Sequence, residues 1–320
     1  LFYATLAQYA TTAVMSYILL PRRPSLSFHF LKLRELVGYS KWVYGQTTLD
    51  LLIGQADKFF VGRWLDPSQL GLYSKAKDLS STVTSIVTSA IKKIGLPAYS
   101  RIQDQLTKVQ IGFCRSVDVL FMSSLPAALL FLFEGGAIVS IAFGPHWYSI
   151  TIPLKIFAFG NLFLAFTRIL NPVFGALGRP DLNFKITTLQ AVLLVPCFYA
   201  GFYLGGIAGL AVGVVVTWIL LLVYVMIRAR PVLRIPKQIL LPSFWSGLAA
   251  SVAAFGADVV LRYLTHRSSD WLPAMMRIIM VGGIYYVFLF SISARFKQGP
   301  WLTLKSAFIE LIAARQKKLV

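Results

Sequence analysis

The chain has 320 residues, 57% of them hydrophobic and only 13% charged, with a mean hydropathy of +0.70. Soluble domains run nearer half apolar and a quarter charged, so this composition excludes an ordinary soluble globular protein. At roughly 20 residues per membrane helix the apolar residues suffice for about nine spans, and the net charge of +19 becomes a question of which side of a membrane the basic residues occupy.

Residues 1–20 are apolar and uncharged and begin with Leu1, with no charged n-region and no small-residue cleavage site after them. The expectation is a first span in a chain that begins inside a longer protein. Hydrophobic periodicity then places spans at 37–63, 70–95, 113–133, 148–170, 183–203, 206–228, 244–264 and 271–294. Pro21, Pro24, Pro67, Pro97, Pro145, Pro180 and Pro231 fall between these runs, where helix breakers belong. Pro126, Pro153, Pro172 and Pro196 fall within runs or at their ends, which neighbouring membrane helices tolerate. Beyond 294, apolar Trp301, Leu304, Phe308 and Leu311 alternate with Lys305, Glu310 and Arg315, which reads as an amphipathic cytoplasmic tail at 295–320.

Sorting the basic residues by connection gives the orientation. Of the 31 Lys and Arg, 23 fall on alternate connections and the C-terminal tail, while the connections 134–147 and 205–206 carry none. By the positive-inside rule the first loop, 21–36, and the C-terminus are cytoplasmic. Trp42, Trp64, Trp147, Trp245, Trp271 and Trp301 lie near span ends, as an interfacial aromatic belt requires.

Ionisable groups inside spans are costly and face a cavity or a partner. In the second span Gln46, Asp50 and Asp57 fall on one face at 100° per residue, with Lys58 flanking them. In the third, Lys77, Ser81, Thr84, Thr88 and Lys92 form a second stripe. Two readings stand. One is a shared wet cavity for a charged, hydroxyl-rich substrate, with lysines meeting phosphate and hydroxyls or amides meeting sugar. The other is polar packing between helices, with Asp57 paired to a nearby lysine. Arg168, on the face of Asn161 seven residues earlier, either reaches the substrate from the cytoplasmic end or simply sets topology. Asp258 and Arg277 lie equally deep in the last two spans and are expected to form a structural ion pair across that hairpin.

Covalent chemistry finds no support. His29, His146 and His266 fall on loops on different sides, and there is no GxSxG, HExxH, P-loop or metal-ligand spacing. The expectation is a protein that is not an enzyme and needs no cofactor beyond a coupling cation or proton.

The segment ADKFFVGRWLDPSQLGLYSKAKDL, with Asp57, Gly62, Leu70, Gly71, Tyr73 and Ala76, resembles a pattern of the Wzx-like polysaccharide export proteins, flippases of the multidrug/oligosaccharidyl-lipid/polysaccharide superfamily. LPAYSRIQD (96–104), FGPHW (143–147), FGALGRPDLNFK (174–185) and GGIAGLAVG (205–213) resemble further family segments, in order and on the expected sides.

The resemblance implies an all-α polytopic fold of two six-helix lobes facing a central cavity, often followed by two extra helices. On that plan 1–20 is the last helix of a truncated first lobe and 21–36 a cytoplasmic linker. Residues 37–228 are the six-helix second lobe, 229–294 the extra hairpin and 295–320 the tail. The implied activity is movement of a polyprenyl-pyrophosphate-linked oligosaccharide across the bacterial inner membrane for surface polysaccharide assembly. The implied partners are that lipid-linked substrate, membrane lipids and a glycan polymerase or export machinery, without nucleic acid. Three alternatives stay open: a drug or cation antiporter of the same superfamily, a membrane-embedded enzyme of glycan synthesis, and a non-transporting scaffold. The antiporter would favour a more acidic cavity than the lysines of the third span provide.

Overall fold

The computed structural model of the chain describes residues 2–19, 30–233, 249–253, 255–260 and 271–296. In chain order the helices are α1 (Phe2–Leu19), α2 (Phe30–Trp64), α3 (Pro67–Arg101), α4 (Leu106–Phe143), a 3₁₀ turn (Pro145–Ile150), α5 (Thr151–Ala176), α6 (Pro180–Leu233) and α7 (Trp271–Phe296). Residues 249–253 and 255–260 are also helical. Among the described residues there is no strand, so the all-α expectation holds.

Leu1–Lys41 and Trp42–Val320 form two compact units, each taken by itself. In the first, the α1 hydroxyls of Thr11 and Thr12 donate to the carbonyls of Ala7 and Gln8 at 2.8 Å. That satisfies two polar groups inside an otherwise apolar, uncharged helix.

In the second unit each connection has a local cause. α3 starts with Pro67 at its first turn, directly after the extended Asp66. α4 ends at Gly144, whose φ of 90° suits glycine, and Pro145 opens the 3₁₀ turn. α5 closes in a Schellman motif: Gly178 sits at φ 68°, its N–H donates to Gly175 O at 3.2 Å and the Arg179 N–H to Phe174 O at 2.9 Å. Pro180 then begins α6.

α6 is two helical arms, 180–204 and 207–233, divided at Gly205 and Gly206, the latter at φ 57°. The arms fold back on each other so closely that a Cβ on Gly209 would lie 2.1 Å from Gly201 O, and one on Gly213 would lie 2.2 Å from Cys197 O. Small residues four apart are the usual means of such backbone approach between membrane helices.

Three runs among the described residues are long and apolar enough to cross a membrane: α4, Pro145–Ala176 and α6. α2 and α3 have 35 residues each, about 52 Å at 1.5 Å per residue, but carry the polar stripes. Helix boundaries differ from the hydropathy reading because apolar runs mark the membrane-facing part of a helix rather than its ends. The span at 113–133 is the middle of the 38-residue α4, and the expected outer loop 134–147 is mostly helix, turning at Gly144. The expected span 244–264 is helical at 249–253 and 255–260; its ends, residues 21–29 and the 297–320 tail lie outside the described residues, while 30–36 of the expected 21–36 linker belong to α2, because apolar Phe30, Leu31, Leu33, Leu36 and Val37 extend the helix beyond the span.

α5 is the hub, packing against α3, α4 and α6. Two apolar clusters run through the bundle. One joins Phe113, Ile169, Leu170, Val173, Phe174, Leu221 and Val225. The other joins Val61, Tyr73, Leu154, Phe157, Phe198, Leu210 and Trp218.

Gly209→Val should separate the arms of α6 at a cost of about 1–3 kcal/mol or more, read as a lower melting temperature of the purified full-length protein. Gly71→Ala, on α3 where an added methyl group would have nothing within 4 Å, should leave that temperature unchanged or slightly raised.

Candidate functional site: a polar cavity in the bundle

A cavity of about 300 Å³ opens between α2, α3, α5 and both arms of α6. Its wall carries Asp50 and Asp57 from α2, Lys77, Thr88 and Lys92 from α3, and Thr167, Arg168 and Asn171 from α5. The first arm of α6 adds Thr187 and Gln190, and the second adds Val214 and Trp218. The helical period produces this convergence. Asp50 and Asp57 are two turns apart on one face of α2, as are Asn161 and Arg168 on α5.

The charges fall into two groups. Asp57 is buried, with 1% of its side chain exposed. Its Oδ1 accepts the backbone N–H of Lys58 at 2.9 Å, and its Oδ2 accepts the Tyr73 hydroxyl at 3.0 Å together with the Lys77 ammonium. Tyr73, wholly buried, is fixed edge-on against Phe157, ring centroids 5.3 Å apart, and Phe198, 6.4 Å apart. The second group is more open. Asp50 faces the charges of Arg168 and Lys92 and takes a side-chain hydrogen bond from Gln46 one turn earlier. Three cations against two carboxylates leave the cavity with a net charge of +1.

A smaller space of about 20 Å³ adjoins this region, lined by Ser81, Thr84, Thr88, Asn161 and Arg168 among others. Beside it, Asn161 Nδ2 donates to Ser80 Oγ at 3.0 Å and ties α5 to α3.

Of the ten residues singled out in the sequence, Asp50, Asp57, Lys77, Thr88, Lys92 and Arg168 line the main cavity. Ser81 and Thr84 line the smaller space, and Gln46 stands behind Asp50. Lys58 is absent from the cavity wall; its ammonium lies 3.8 Å from Asp78, toward the surface. Asp258 is buried, while the Arg277 side chain lies outside the described residues, as does the pair expected between them.

The sequence reading passed over Thr187 and Gln190. Their signal was present: Asn183, Thr187 and Gln190 recur at i, i+4 and i+7, and all three are buried. Asn183 Nδ2 donates to the carbonyl of Asn171 at 2.9 Å, drawing α6 onto the cavity end of α5. Trp218 was detectable as the tryptophan in the middle of a span rather than at its end. Among the described residues no cluster of His, Cys, Asp or Glu is arranged to hold a metal ion.

Residues 1–152 match the model of a family described as polysaccharide biosynthesis protein. The lipopolysaccharide biosynthesis protein WzxC of Escherichia coli (strain K12) is 23% identical over 247 residues, covering 75% of this chain and 50% of that protein. The amylovoran biosynthesis protein AmsL of Erwinia amylovora is 26% identical over 179 residues, covering 54% of this chain and 45% of AmsL. The chain thus spans about half the length of these curated relatives. Among solved structures, the lipid II flippase MurJ in an inward closed conformation aligns over 86% of this chain and 57% of its own. Its TM-score is 0.64 at 13% identity, which makes it a likeness of fold. The resemblance implied by the sequence motifs is thereby borne out, as is the expectation of a multi-pass membrane protein.

Tyr73→Phe removes one hydrogen bond to the Asp57 carboxylate while keeping the ring against Phe157 and Phe198. A hydrogen bond to a charged group is worth about 1.5–3 kcal/mol. The variant of the full-length protein should lose that much stability, measured as a fall in melting temperature without loss of helical content.

Proposed function

We propose, for a chain that resembles the Wzx-like polysaccharide export proteins, that it is the second lobe of a flippase moving a polyprenyl-pyrophosphate-linked oligosaccharide from the inner to the outer leaflet of the bacterial inner membrane. The observation that carries the proposal is the cavity wall. It sets two open cations, Lys92 and Arg168, beside hydroxyls and amides inside an apolar bundle, with a net charge of +1.

Cationic groups suit the pyrophosphate: the guanidinium of Arg168 by its planar fork of donors and Lys92 as a point charge. Thr88, Thr187, Gln190 and Asn171 supply the neutral donors and acceptors that sugar hydroxyls need. At about 300 Å³ the cavity lies at the small end of ligand sites. It accommodates the polar junction of the lipid-linked substrate, while the prenyl tail remains in the bilayer and the distal sugars extend beyond this lobe. The substrate crosses unchanged, so no bond is made or broken. A coupling cation or proton completes the proposal, and Asp50 is the carboxylate on the open part of the wall. In this reading the C-terminus and the segment 21–36 face the cytoplasm, where a glycan polymerase or export machinery meets the protein. The positive cavity argues against the cation-antiporter alternative.

The test is genetic and uses the full-length protein. Its loss should make undecaprenyl-linked glycan accumulate in the inner leaflet, and unchanged glycan export would overturn the reading. The double variant Lys92→Gln/Arg168→Gln should lower glycan export about tenfold or more at normal membrane abundance, since each lost charge-assisted contact is worth a kcal/mol or more. A single cysteine placed in the segment 21–36 should react with an impermeant thiol reagent only from the cytoplasmic side.

A further inference from the structure

Two lysines contact Asp57, one through its backbone N–H and one through its ammonium, and the structure distinguishes them. Lys58 is the sequence neighbour, but its Nζ lies 3.8 Å from the exposed Asp78 carboxylate and off the cavity wall. Lys77 comes 20 residues later, one turn after Tyr73 on the same face of α3, and its ammonium bonds directly to Asp57 Oδ2. Both Asp57 and Lys77 lie on the cavity wall. With the Lys58 N–H on Oδ1 and the Tyr73 hydroxyl on Oδ2, three of the roughly four acceptor positions of the carboxylate are taken. The Lys77 side chain is 22% exposed against 1% for Asp57. Anything reaching Asp57 from the cavity therefore meets the lysine first.

A buried carboxylate in a membrane helix, on the wall of a polar cavity, needs a counter-charge, which either a residue of the chain or a free cation from the cavity can supply. We propose that Lys77 is a tethered cation that fills this place, so that Asp57 takes no free monovalent metal ion and the specificity of the position is set by a residue of the chain itself. The pair carries no net charge, and a sodium ion entering beside it would face a fixed ammonium instead of a free carboxylate. The inference concerns this pair alone and stands whatever the cavity carries.

The experiment measures melting of the full-length protein in detergent, in sodium chloride and in choline chloride at equal ionic strength, for the wild type, Asp57→Asn, Lys77→Met, Lys77→Arg and Asp57→Asn/Lys77→Met. Sodium should have no effect on the wild type that Asp57→Asn removes. Lys77→Met should gain a sodium-specific rise of about 2–4 °C, as expected when a site fills to several times its dissociation constant. The double variant should lose that rise, and Lys77→Arg, which keeps a tethered cation, should never show it. Where Lys77→Met fails to accumulate in membranes, the charge-neutral double variant should accumulate better than either single one. The proposal is overturned by any of three results: a sodium response of the wild type that depends on Asp57, a folded Lys77→Met protein that responds no more than the wild type, or a double variant no better tolerated than the singles. Glycan export is a separate readout, so failure of the flippase reading leaves these melting outcomes intact, and the reverse.

Discussion

A carboxylate enclosed in an apolar helix bundle must be matched there, and the matching of Asp57 organises the elements around it. Breaking a buried ion pair by removing one partner costs about 3–5 kcal/mol, so the groups that reach Asp57 constrain every helix they belong to. Lys77 and Tyr73 fix the register of α3 on α2 across the short Leu65–Asp66 turn. Tyr73 can offer its hydroxyl only because Phe157 on α5 and Phe198 on α6 hold its ring on edge. One charge thus ties four helices to a single arrangement, through one ion pair, one tyrosine hydrogen bond and two aromatic contacts.

Close packing elsewhere makes that arrangement possible. Gly160 on α5 lies so near Val215 and Trp218 that a Cβ there would meet the valine at 2.3 Å. The next residue, Asn161, bonds to Ser80 on α3. The Gly201, Gly209 and Gly213 contacts hold the two arms of α6 at backbone distance. Where small residues permit this approach, α5 and the arms of α6 pack closely. Where Lys92, Arg168 and Asp50 project from α3, α5 and α2, the bundle opens into the cavity.

The fold was legible because membrane helices follow simple signals: long apolar runs, basic residues on alternate connections, and glycine or proline at the turns. The Gly205–Gly206 break and the Leu-Gly-Arg-Pro turn stood where the charge pattern required them. Helix ends were less legible, since α4 continues well past its apolar stretch and hydropathy carries no information about a helix leaving the membrane. In the site, the stripes on α2 and α3 stood out because these two spans carry charged and hydroxyl side chains at helical spacing, unlike the apolar runs after them. Thr187 and Gln190 were obscured by the polar start of α6, where Asp181 and Lys185 already suggest an ordinary cytoplasmic turn. Both Lys58 and Lys77 were candidates for phosphate, and the sequence could not say which of them faced Asp57. That depends on the turn between α2 and α3, which rotates one helix against the other and leaves no periodic trace.

The charge of the whole chain and the charge of the cavity answer different questions. By the hydropathy reading most of the basic residues flank the apolar runs, where they would orient helices and attract anionic lipid. Five ionisable groups line the cavity, and Asp57 and Lys77 cancel. Lys92, Arg168 and Asp50 remain, two cations and one anion in a space enclosed between α2, α3, α5 and α6. A surplus cation in such surroundings lacks the counter-charge that water and salt would give it on a surface. A bound anion supplies that counter-charge, whereas a bound cation adds to the deficit. On the proposed reading, this asymmetry ties the cavity to a pyrophosphate, and it depends on Lys77 being spent on Asp57: with a free Asp57 beside a free Lys77, the same wall would offer both signs and select neither.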